Sequence, residues 1–139
     1  MSDSMSVHGA CHCGAIAFEA AADPARVTIC HCTACQILTG TAYRVTVSAS
    51  GASFCLLRGS PKTYVKLADS GNRRAQVFCA DCGSQLYSHA DVAKPERLGL
   101  RVGCLQERDV LVPHKRIWCR SALGWSENLA GMEKVDLQT

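Results

Sequence analysis

Seven of the ten cysteines in this 139-residue chain fall into three tight clusters, Cys11-x-Cys13, Cys30-x-Cys32-x-x-Cys35 and Cys79-x-x-Cys82, and no other feature narrows the choice of fold so far. Cysteines at these spacings do not bridge each other easily. Their thiolates can nevertheless converge on one ion, because zinc takes its ligands only about 2.3 Å away in a tetrahedron. Cys55, Cys104 and Cys119 stand alone, in or beside apolar strand-like segments, and are expected to act as small buried hydrophobes.

A closed structural zinc site takes four ligands, so two of the clusters close one site and the trio Cys30, Cys32 and Cys35 is left with three ligands and a vacant position. Three alternatives stand beside this. Cys55, Cys119 or a histidine can supply a fourth ligand to the trio; the sulfurs can hold an iron–sulfur cluster; or an exported chain can pair them as disulfides. An open centre of three thiolates acidifies bound water less than a three-histidine site does, so hydrolysis is disfavoured. Soft ligation suits a fourth thiolate instead, and thiol activation is the chemistry expected.

Hydrophobic residues make up 47% of the chain, but that figure includes the cysteines, and aromatics are only 6%, so large core side chains are scarce. Metal or disulfides must then help to hold the fold, and the N-terminus argues for metal. Met1 to Ala10 has no apolar stretch with a basic flank, and the alanine-rich segment after it is interrupted by Glu19 and ends at Asp23-Pro24. No apolar run reaches the roughly 18 residues of a membrane span. A cytoplasmic protein of one domain over residues 1–139 is expected, with residues 1–8 as a flexible tail. The net charge of +3 is spread thinly, and neither nucleic acid nor membrane is expected as a partner.

Short alternating segments recur along the chain: Ile16 and Phe18, Val27 and Ile29, Tyr43, Val45 and Val47, Phe54 and Leu56, then Leu98, Leu100 and Val102. Turn signals separate them at Asp23-Pro24, Ser50-Gly51, Gly59-Ser60-Pro61 and Ser70-Gly71-Asn72. The class is mostly β. One helical turn is expected over Thr33 to Thr39 with Gly40 as its stop, and a loop over Asp91 to Pro95.

Three stretches resemble the glutathione-dependent formaldehyde-activating family, which includes centromere protein V-like proteins. They are Gly9-Ala10-Cys11-His12-Cys13-Gly14, Cys30-His31-Cys32-Thr33-Ala34-Cys35-Gln36 running into Thr39-Gly40, and Phe78-Cys79-Ala80-Asp81-Cys82-Gly83-Ser84. The resemblance implies a β-tent of several small coiled antiparallel sheets organised around two zinc ions. Cys11, Cys13, Cys79 and Cys82 would hold the structural ion, and Cys30, Cys32 and Cys35 the catalytic one. It further implies glutathione as a small-molecule partner and its condensation with formaldehyde to S-(hydroxymethyl)glutathione, formally a carbon–sulfur lyase reaction. Gln106 and Arg116 depart from the family pattern, which has an acidic residue and a histidine at those places.

Several other residues carry a plain reading beside a functional one. His12 and His31 lie between the cysteines of their clusters and are expected to point away from a metal. Gln36, Thr39 and the amides near Gly40 are candidate donors to a forming alkoxide, or else local caps of the turn after Cys35. Arg73 and Arg74 can meet a ligand carboxylate or be solvated, and Trp118 and Trp125 are expected in the core or at its rim. A noncatalytic zinc module, either a thiol carrier or a protein-binding domain, is the rival to an enzyme.

Overall fold

The computed structural model describes residues 3–138. Nine strands form one hydrogen-bonded sheet: β1 (Met5–Ala10), β2 (Ala17–Cys30), β3 (Arg44–Ser50), β4 (Cys55–Arg58), β5 (Lys62–Leu67), β6 (Arg73–Phe78), β7 (Gln85–Ala90), β8 (Arg97–Arg101) and β9 (Lys115–Ile117). The order is β1-β2-β3-β8-β7-β6-β5, with β4 and β9 also pairing with β2. The chain is mostly β, as its alternation implies. The pairs are antiparallel except β2 with β9, which are parallel. None of the described helices is long and apolar enough to cross a membrane.

Two boundaries differ from expectation. Met5 to His8, read as part of a tail, form the first part of β1 and pair with β2 in register Met5↔Ala22 to His8↔Glu19. Val7 is fully buried in the core, and this anchor with its ladder holds the segment in place; Met1 and Ser2 lie outside the described residues. Asp23-Pro24, read as a turn, lies inside β2. There residues 23–26 stand opposite the single residue between Val47 and Ala49 of β3. Such a break in register accepts a proline, whose missing N–H needs no ladder partner there. Because these register breaks bend a continuous ladder, segments that read as separate small sheets stay hydrogen-bonded to one another.

The core lies on the inner faces of β1, β2, β3, β7 and β8, around Val7, Phe18, Val47, Leu86, Leu100 and Leu105. Phe18 is its centre, with its ring 5.4 Å from that of Phe54 and 5.3 Å edge-on to that of Tyr87. Gly9, opposite Phe18 in the ladder, makes room for the ring, since a β-carbon at Gly9 would lie 2.2 Å from Phe18 Cζ. With so few aromatics to share the load, Phe18→Ala is expected to cost about 3–5 kcal/mol, read as the change in unfolding free energy by chemical denaturation.

The helical turn falls where expected, at α1 (Thr33–Thr39). Cys32 caps its start by accepting the Cys35 amide at its sulfur, 3.3 Å away. Gly40 ends it in the left-handed region at φ 68°, its amide donating to the Gln36 carbonyl. Only glycine adopts that conformation without strain.

Candidate metal centres

Two groups of sulfurs converge. The first joins turns that are distant in sequence and alike in build. Gly14 closes the turn after Cys13 by donating to the Cys11 carbonyl, and Gly83 closes the turn after Cys82 by donating to the Cys79 carbonyl, with φ of 83° and 80°. The His12 amide donates to Ser84 Oγ at 3.0 Å and ties one turn to the other. The sulfurs of Cys11 and Cys13 lie 3.6 Å apart, and those of Cys13 and Cys79 3.8 Å. Four sulfurs around a tetrahedral zinc at 2.3 Å sit about 3.8 Å from one another, so Cys11, Cys13, Cys79 and Cys82 fit that ion. Hydrogen bonds from Ser84 pull the Cys82 thiol down to about 5.

The second group holds Cys30, Cys32 and Cys35, whose sulfurs also lie within 4.8 Å of one another. Cys30 ends β2, Cys32 caps α1 and Cys35 is buried within it. Among the described residues no histidine, carboxylate or further cysteine completes this set. A hydrogen bond from Cys35 pulls the Cys30 thiol down to about 5, aided by the Arg44 charge, while Cys35 holds its own proton more tightly. The trio is built to carry negative charge. All ten cysteines are free thiols.

The structure sorts the remaining candidates. His12 is exposed, whereas His31 is buried edge-on to Tyr43, and neither of its ring nitrogens has a hydrogen-bond partner. Gln36, Thr39 and Gly40 have their donors engaged. The Gln36 amide donates to the carbonyls of His31 and Ser121, the Thr39 hydroxyl to that of Cys35, and the Gly40 amide to that of Gln36. They are caps and ties. Arg73 pairs with Asp91 at 3.0 Å, and Trp118 and Trp125 are exposed at the rim. Cys104 is half-buried, its thiol donating to the Arg101 carbonyl at 3.1 Å, and burial pushes it up to about 12. Cys55 and Cys119 are exposed instead of buried, since β4 and the turn after Trp118 face solvent along their length.

Two arginines stand beside the trio, and nothing in the sequence assigned a ligand role to either. Arg44 stands opposite Cys30 in the β2–β3 ladder, and both Arg44 and Arg101 are more than nine-tenths buried.

The family model for glutathione-dependent formaldehyde-activating enzyme matches residues 6–121, which takes in both sulfur clusters. The chain belongs to this family. Within it, Cys11 to Cys82 of the first cluster and Cys30 to Cys35 of the second all lie inside the matched span. Among solved structures, the crystal structure of a Rhodobacter sphaeroides protein, a structural genomics target, is 22% identical. It covers 78% of this chain and 98% of its own, with a TM-score of 0.60. Likeness at that identity speaks for the shared fold. No curated protein matches the chain.

Proposed function

We propose that this member of the formaldehyde-activating family is a zinc-dependent enzyme that joins a thiol to a small aldehyde, in formal class a carbon–sulfur lyase, with glutathione and formaldehyde as the pair. The observation that carries it is the second cluster: three converging sulfurs with no fourth donor among the described residues. Cys11, Cys13, Cys79 and Cys82 hold one zinc for structure, and Cys30, Cys32 and Cys35 hold the other, two per chain. Zinc bound by the trio supplies a soft position that favours a small-molecule thiol as its thiolate.

In the reaction the thiol loses its proton, its sulfur forms a bond to the aldehyde carbon, and the carbonyl oxygen takes up a proton to become the hydroxymethyl group. Deprotonation alone gains little. Lowering a thiol pKa from about 8.5 to well below neutral raises the thiolate fraction tens of fold, but a Brønsted slope near 0.45 removes much of that in nucleophilicity. Rate must come from placing the aldehyde against the sulfur.

A noncatalytic thiol carrier is the second reading, favoured by one observation: Gln36, Thr39 and the Gly40 amide spend their donors inside the fold and leave none of them for an alkoxide. Cobalt substitution followed by glutathione tests the open site common to both. The visible spectrum is expected to gain intensity and shift with glutathione and to stay unchanged with glutathione disulfide. A spectrum indifferent to glutathione overturns the open-site reading. Consumption of formaldehyde faster than in glutathione solution alone then separates enzyme from carrier.

A further inference from the structure

Arg44 and Arg101 are 6% and 8% exposed, and neither has an acidic partner. The ion pairs among the described residues are His8 with Glu107, Arg73 with Asp91 and Arg116 with Glu127, all elsewhere. The two guanidinium groups are held by neutral oxygens only. Arg44 donates to Gln76 Oε1 and to Gln85 Oε1, both at 3.0 Å; Arg101 donates to the same Gln76 oxygen at 2.7 Å and to Thr46 Oγ1 at 2.9 Å. Gln85 in turn donates its amide to the Leu38 carbonyl, which fixes its oxygen toward Arg44. Arg44 Nε is buried with no partner at all. A buried charge without a counterion is costly, and a fold that maintains two side by side has a use for an anion there.

The surroundings say where that anion comes from. A cavity of about 540 Å³ opens beside Arg101, walled by Leu38, Val77, Phe78 and Tyr87. It shares Leu38, Gly83, Gln85 and Arg101 with a neighbouring cavity of about 390 Å³ that also reaches Arg44 and Thr39. Leu38 and Thr39 belong to α1, one turn on from Cys35, so the pocket lies against the helix that carries the second sulfur cluster. Burial, then the like charge of Arg44, holds Arg101 down to about 9, as expected of a cation that awaits a partner. The sulfurs of the trio do add negative charge nearby, yet none of the guanidinium hydrogen bonds goes to a sulfur.

We propose that Arg44 and Arg101 receive a carboxylate of the thiol ligand in this pocket, and so select anionic thiols over neutral ones. This rests on the reading of Cys30, Cys32 and Cys35 as the thiol site. Gln76 and Gln85 act as positioning residues that hold the two guanidinium forks without neutralising them, and the planar fork matches a carboxylate with two parallel hydrogen bonds.

The experiment is calorimetric titration of the zinc-loaded protein with glutathione and with glutathione diethyl ester, whose carboxylates are masked. The wild-type protein is expected to prefer the free acid by about ten- to a hundredfold, the worth of a charge-assisted hydrogen bond at a buried site. Arg101→Gln and Arg44→Gln are expected to bring that ratio near one while leaving the ester's affinity as it was. Zinc content and circular dichroism check each variant's fold. Should the glutamine variants fail to fold, Arg101→Lys, which keeps the charge and loses the fork, is expected to cut the ratio severalfold. A wild-type ratio near one, or no binding of either ligand, overturns the proposal. So do variants that weaken acid and ester equally, the result expected if the arginines only balance the charge of the sulfurs. If glutathione binds in the calorimeter with the acid preference intact but leaves the cobalt spectrum unchanged, the open-site reading fails and the arginine receptor stands.

Discussion

Cys82→Ser is expected to release one zinc per chain and to lower the melting midpoint by more than about 10 °C, with outright unfolding at 37 °C a permitted extreme. The size of that effect is what makes it informative. Cys82 is exposed and contributes nothing to the apolar core, and a substitution of one small polar atom for another at such a place is ordinarily close to neutral. Any large loss must therefore come through the metal. The first cluster ties the turn after β1 to the turn between β6 and β7, segments more than sixty residues apart that the bond from the His12 amide to Ser84 also joins. Without the ion, four sulfurs packed within 4.8 Å of one another repel as thiolates, and nothing else draws the two turns together as strongly. Zinc analysis together with scanning calorimetry checks it. A Cys82→Ser protein that keeps two zincs and its wild-type midpoint would remove the structural role of this cluster.

Cys35→Ser is expected to behave in the opposite way, losing the second zinc and all detectable thiol binding while the protein remains folded. The reason is that α1 does not depend on the sulfur of Cys35 for its shape. Its start is capped by Cys32 through the Cys35 backbone amide, its end by Gly40, and its side is tied by Gln36 to the carbonyls of His31 and Ser121. Serine preserves the amide and nearly the volume. It supplies a hard oxygen where a soft ligand is needed, and two sulfurs make a poor zinc site. The zinc count is expected to fall from two to one, with little change in far-ultraviolet circular dichroism and no response of the cobalt form to glutathione. Retention of both metals in this variant would show that another group completes the trio.

The contrast between these variants follows from where each cluster sits. The first is a cross-link between remote turns, and the second lies within one short stretch from the end of β2 through α1, which the sheet holds in place from outside through Arg44 opposite Cys30 and β9 alongside. The cysteine spacing already placed seven sulfurs in three tight turns, since one or two intervening residues permit few conformations and glycine at the turn ends selects among them. The alternation of apolar residues similarly placed most of the strands, and Thr33 to Thr39 with Gly40 read correctly as a capped turn.

What local spacing could not decide was burial. Cys55 and Cys119 sit in or beside apolar stretches yet face solvent, because, among the described residues, no other element packs over β4 or the turn after Trp118. Gln36 looked free to serve a reaction and is instead bound to Ser121, a partner eighty-five residues away. Nothing in the pattern around Arg44 or Arg101 tells that the two are buried together; the ladders of β2, β3 and β8 bring them together and seal them from water. The spacing within each cysteine cluster is written within a few residues of chain, so the amino-acid sequence by itself determined which sulfurs share a turn. Whether a charge is buried depends on every strand that closes over it, so only the tertiary structure decided that two unpaired arginines would stand beside them.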